Sequence, residues 1–150
     1  MRTVLALTLS LFSLSAHSAP IVLTFEDVTV GGMSPDPETI IYRGYSLTTE
    51  LGFESTFTSP EPSLQFCNGC SVTVREENDN PFSLGSFDIY DVGGEMTLTV
   101  TGGYAGGGTV SEVLVFTFPY AGGWEGVSLV GQWTNLEYVN LDVYVNDGFF

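Results

Sequence analysis

Lysine is absent from this chain of 150 residues, and three arginines stand against 18 acidic side chains, a formal net charge of −15 at pH 7. A surface so acidic repels nucleic acid phosphates and anionic lipid headgroups, so DNA, RNA and membrane-surface partners are disfavoured. Without lysine there is no Schiff-base amine and no Ser-Lys pair. The single histidine, His17, lies near the N-terminus in a segment expected to be removed, which leaves no imidazole base. Two cysteines, Cys67 and Cys70, cannot build a four-ligand zinc site unaided. No motif singles out a carboxylate pair of the glycosidase kind. The expectation is a protein that is not an enzyme, with a carboxylate-based hydrolase as the remaining catalytic alternative.

Long apolar runs are scarce too. The one candidate opens the chain: Met1-Arg2 is a short positive start, residues 3–15 are rich in Leu, Val and Ala, and Ala16-His17-Ser18 supplies small residues at the positions a signal peptidase reads. The run falls short of the roughly 20 residues that span a bilayer. It reads as a signal peptide, residues 1–18, cut after Ser18; the competing reading is a buried N-terminal helix or strand. Export to the extracellular space or cell surface follows, with no membrane insertion once the leader is gone. The remaining residues, 19–150, number about 130, enough for one domain with a real core.

What is abundant is strand-forming. Phe and Tyr are plentiful beside Val, Leu and Thr, and 18 glycines serve frequent turns. No amphipathic helix is visible after the leader, while period-two runs recur between Gly, Pro, Asn and Asp clusters. Ile21 to Glu26 is a first strand. Ile40 to Thr48 and Leu51 to Phe57 are two strands meeting at a bend. Phe82 to Tyr90 is a strand kinked at Gly85, and Met96, Leu98 and Val100 alternate with threonines. Val110 to Phe118, apolar on both faces, is expected to be central. Trp124 to Gly131 and Leu136 to Val145 complete roughly nine or ten strands, which suggests an all-β antiparallel sandwich of the jelly-roll type.

Four features carry candidate chemistry. Cys67-Asn68-Gly69-Cys70 is a C-x-x-C pair around a tight Asn-Gly turn; in an oxidising compartment it reads as a structural disulfide, with a redox role as the alternative. In the last strand Val139, Leu141, Val143 and Val145 point to the core, so Tyr138, Asn140, Asp142 and Tyr144 point away. Rings with amide and carboxylate groups suit a sugar, though the same pattern fits an ordinary solvent-facing strand. Asp88 and Tyr90 extend such a face from another strand. Glu26-Asp27, at the end of the first strand, offers oxygen ligands of the calcium type, or simply faces water.

Several segments together resemble a large group of secreted bacterial β-sandwich proteins, many with a short C-terminal PEP-CTERM sorting signal. They are Leu23-Thr24-Phe25-Glu26-Asp27, Tyr42-Arg43-Gly44-Tyr45, the stretch from Pro81 to Asp88, Leu98-Thr99-Val100-Thr101-Gly102, and Asn135-Leu136-Glu137-Tyr138-Val139. The resemblance implies a jelly roll of the galactose-binding, carbohydrate-module type. It implies a structural calcium on Glu26, with Asp27 beside it, completed by an aspartate of a last strand. In that group the chain continues past a Gly-Phe-Phe-like segment into such a strand, whereas this one stops at Gly148-Phe149-Phe150, so the domain is expected to lack its last strand. The function expected is a secreted non-catalytic binding module for extracellular polysaccharide. The alternative is a structural or adhesive envelope or biofilm-matrix protein whose partner is a surface protein.

Overall fold

The computed structural model describes residues 6–13, 21–23, 36–50, 54–56, 63–65, 69–91, 94–118 and 123–146. They form twelve strands and no helix. In chain order these are β1 (Ala6–Ser13), β2 (Ile21–Leu23), β3 (Glu38–Tyr42), β4 (Tyr45–Thr49), β5 (Glu54–Thr56), β6 (Ser63–Gln65), β7 (Ser71–Glu76), β8 (Phe82–Asp91), β9 (Gly94–Tyr104), β10 (Thr109–Phe118), β11 (Gly123–Ser128) and β12 (Leu136–Asn146).

All pairings are antiparallel, in the order β3-β4-β7-β12-β8-β1-β6-β5; β9 also lies on β12, β10 on β9, β11 on β8 and β2 on β1. β8 touches β12 through one register pair, Leu136 with Phe82. Past that point the sheet folds over. Phe87 and Ile89 of β8 then join Met96, Leu98 and Val100 of β9 and Leu141, Val143 and Val145 of β12 in one buried cluster. The architecture is therefore sandwich-like and not closed into a barrel. Alternation dictates it: each central strand puts every second, apolar residue inward, and burying such a side chain contributes about 1.5–3 kcal/mol.

Local chemistry sets the breaks. Ile40 to Thr48 is not one strand but a hairpin, because Arg43 and Gly44 both take positive φ (50° and 82°) and reverse the chain between β3 and β4. Two residues of positive φ make the turn that matches strand twist. The kink at Gly85 is a β-bulge: Ser10 pairs Ser86 and Leu11 pairs Leu84, so Gly85 is the extra residue. The glycine run after β9 closes the β9–β10 hairpin. After β7, the Glu76 carboxylate accepts hydrogen bonds from the backbone and side-chain amides of Asn78 and of Asn80, at 2.8–3.2 Å. Burial alone pushes this carboxyl up; the four donors outweigh that and hold it below the usual carboxylate range.

β10 is the clearest departure from the sequence reading. It pairs β9 alone among the described residues, so it is an edge strand, not a central one. Val110, Leu114 and Phe116 pack on the core, while Val113 and Val115 are 62% and 63% exposed on the other side. β1 runs inside the stretch expected to be the leader. Removal of residues 1–18 would therefore uncover the β8 edge from Phe82 to Tyr90.

Candidate functional site

β12 carries the site. Val139, Leu141, Val143 and Val145 are buried, and Tyr138, Asn140, Asp142 and Tyr144 come out on the opposite face. The neighbours in register extend that face. Asn140 stands opposite Thr73 of β7 on one side and Thr101 of β9 on the other. Thr48 and Thr39 continue the row beyond Thr73, and Ser111 continues it beyond Thr101. One polar row thus crosses six strands.

The row is internally fixed. Thr73 Oγ1 donates to Asn140 Oδ1 (3.0 Å), which orients the amide so that its Nδ2 donates to Asp142 Oδ2 (2.9 Å). The hydroxyls of Thr39 and Thr48 lie 2.8 Å apart, and those of Thr101 and Ser111 3.2 Å. Such a face resists rotamer loss on binding, because its side chains are already ordered.

The two tyrosines differ. Tyr138 is half-buried: its ring lies so close to Gly103 that a Cβ there would fall 2.2 Å from Cε1, and the Arg75 guanidinium sits over the ring, 5.0 Å from its centroid. A glycine is needed at 103 for this close approach. Tyr138 is a fixture of the sheet, whereas Tyr144, 62% exposed, is a free aromatic surface. Opposite Tyr144 is Thr97, and beyond Thr97 is exposed Val115.

The other residues singled out from sequence are not on this face. Asp88 is exposed on β8, but Phe87 and Ile89 point into the shared core, so Asp88 projects from the far side of the sandwich. Tyr90 follows on the same strand, its side chain outside the described residues. Glu26, Asp27 and Cys67 also lie outside the described residues. Cys70 is buried and disulfide-bonded, and its backbone is tied to β12: Val143 N–H donates to Cys70 O (3.2 Å), and Gly69 N–H to Val143 O (2.9 Å). Among the described residues no three His, Cys, Asp or Glu side chains stand together as a metal site.

Sequence reasoning missed Arg75, Gly103 and the threonine rows. The alternation of Val72 and Val74 places Arg75 outward, but which strands become neighbours is fixed by register alone. No family model, curated protein or solved structure matches this chain.

Proposed function

We propose that the chain is a secreted, non-catalytic binding module of jelly-roll type that holds a neutral extracellular polysaccharide against the outward face of β12. The observation that carries this reading is the single ordered face uniting Tyr144, Asn140, Asp142 and the Ser/Thr row. An aromatic plane covers the apolar side of a pyranose, and fixed amide, carboxylate and hydroxyl groups take its hydroxyls. A net charge of −15 selects against polyanions such as uronates or sulfated glycans. In this reading the Cys67–Cys70 disulfide pins the turn that enters β7. In this reading Glu26 and Asp27 supply ligands to a structural calcium.

Retention on insoluble and soluble neutral polysaccharides, with and without calcium, is the test. Tyr144→Ala should weaken retention about tenfold, since an aromatic contact of this kind contributes ~0.5–1.5 kcal/mol beyond its area. Absence of retention on every polysaccharide, under both conditions, would sink the reading. Calcium should raise the melting temperature by mass action, and Glu26→Ala should remove the rise.

One observation favours a second reading, a structural or adhesive surface protein. β10 is an apolar edge strand of ten residues without proline or lysine, the kind of edge other strands add to. Self-association that grows with salt, as charge repulsion is screened, and that disappears in Val115→Lys is the outcome it requires. A chain that stays monomeric at high concentration and high salt excludes it.

A further inference from the structure

The connection between β11 and β12 is strapped to the rest of the fold. Leu129 N–H donates to Gly85 O (2.8 Å), the bulge residue of β8, and Leu84 N–H donates to Trp133 O (3.0 Å). Gly131 turns the segment with φ +87°, and the Tyr104 hydroxyl donates to Gln132 O (2.9 Å). Between this strap and the bulge lies a pit of about 290 Å³.

Its walls are apolar: Leu84, Leu129 and the Trp133 indole, all buried. Gly85 and Gly131 contribute backbone to the lining. Two hydroxyl residues complete the lining, exposed Thr134 and Ser83. Ser83 is only 9% exposed and belongs to the lining, so a hydroxyl stands on an otherwise apolar wall. Val130, between two lining residues in the chain, is 87% exposed, an apolar side chain kept in water beside the mouth.

No charged residue lines the pit. The volume lies just below the ~300–1,000 Å³ range of small-molecule sites. A neutral ring fits that volume if one side is apolar and its edge carries hydroxyls. We propose that the pit is a subsite for one neutral pyranose ring, the terminal sugar of a glycan chain. The identification of the ligand as a sugar rests on the glycan reading above; the pit itself shares no residue with the β12 face.

The test is a titration of the protein with the methyl pyranosides of neutral hexoses, with a methyl uronide and cyclohexanol as comparisons. Backbone amide shifts at residues 83–85 and 129–134 and Trp133 emission report occupancy. At least one neutral pyranoside should give saturable shifts confined to these amides. Ser83→Ala should weaken it by about two- to tenfold, one hydrogen bond's worth, while Tyr144→Ala leaves it unchanged. No shift with any pyranoside, shifts unchanged by Ser83→Ala, or a response to cyclohexanol alone would each overturn the assignment. Polysaccharide retention that depends on Tyr144 with an unresponsive pit rejects the subsite and keeps the β12 face. A pit that binds pyranoside in a protein without polysaccharide retention supports the subsite and rejects the face.

Discussion

Gly102 and Gly103 are neighbours on β9 but point to opposite sides of the sheet, and Gly103 offers a sharp test of how the β12 face is built. A Cβ at 103 would lie 2.2, 2.6 and 2.9 Å from Cε1, Cζ and Cδ1 of Tyr138. The backbone cannot yield across a paired strand, so in Gly103→Ala the ring must swing off the sheet. It then loses the Arg75 contact, ~0.5–1 kcal/mol at an exposed site, together with its packing on β9. Against this, alanine in an L-compatible conformation gains ~0.4–1 kcal/mol by restricting the unfolded chain. The two terms nearly cancel, and Gly103→Ala alone should change stability by less than ~1 kcal/mol. The coupling does not cancel. In a Tyr138→Ala background no ring stands in the way, and the same substitution should stabilise. A double-mutant cycle by urea unfolding should therefore give a coupling of about 0.5–1 kcal/mol between positions 103 and 138. Equal effects of Gly103→Ala in both backgrounds would refute the close approach, and with it the fixed position of Tyr138.

Three further outcomes follow from the packing. Tyr45 is buried in edge contact with Phe82 (5.7 Å, 80°), its hydroxyl has no hydrogen-bond partner among the described residues, and burial followed by the Glu76 charge pushes its pKa up; Tyr45→Phe should raise stability by about 1 kcal/mol in denaturant melts. Leu141→Ala, at a fully buried site between Val72 and Val100, should cost about 2–5 kcal/mol. Glu76 has a folded pKa below its unfolded one, so its contribution is present above the unfolded pKa and lost as pH falls through the folded one. The melting-temperature gap between wild type and Glu76→Ala should thus be largest near neutrality and narrow in acid.

How much of this was legible in the sequence depends on the range of the interaction. Alternation in β12 and β9 is local, so the inward valines and leucines and the outward tyrosines were readable residue by residue. The bulge at Gly85 and the β9–β10 turn were readable for the same reason, since a glycine inside a strand pattern marks a bulge or reversal. The hairpin within 40–48 was not, because a positive φ at Arg43 contradicts that residue's local preference and is imposed by its pairing with β4. The threonine row joins residues as far apart as 39 and 111, and only register brings them together. The pit is harder still to foresee, since it arises from a strap and a bulge distant in sequence, and none of its lining residues is unusual alone.

β10 shows why apolar content on both faces does not fix a strand's position. Leu114 and Phe116 face the core and account for one side. Val113 and Val115 stand largely exposed, their rows running through Thr99 and Thr97 of β9 to Asp142 and Tyr144 of β12. An edge of this kind invites pairing with another chain unless something opposes it. No lysine is available anywhere in the chain, and the one charge among the central residues of β10 is Glu112. What opposes association is then the charge of the whole molecule, −15 at pH 7. That defence differs from a local gatekeeper: it falls away as salt shortens the Debye length to ~8 Å at physiological ionic strength and less above it. On the glycan reading, the acidity that would steer the β12 face toward neutral glycans would also oppose association at the β10 edge. The two readings of function are coupled through one property: salt should relieve the repulsion at the edge, whereas the proposed stacking on Tyr144 should be insensitive to it.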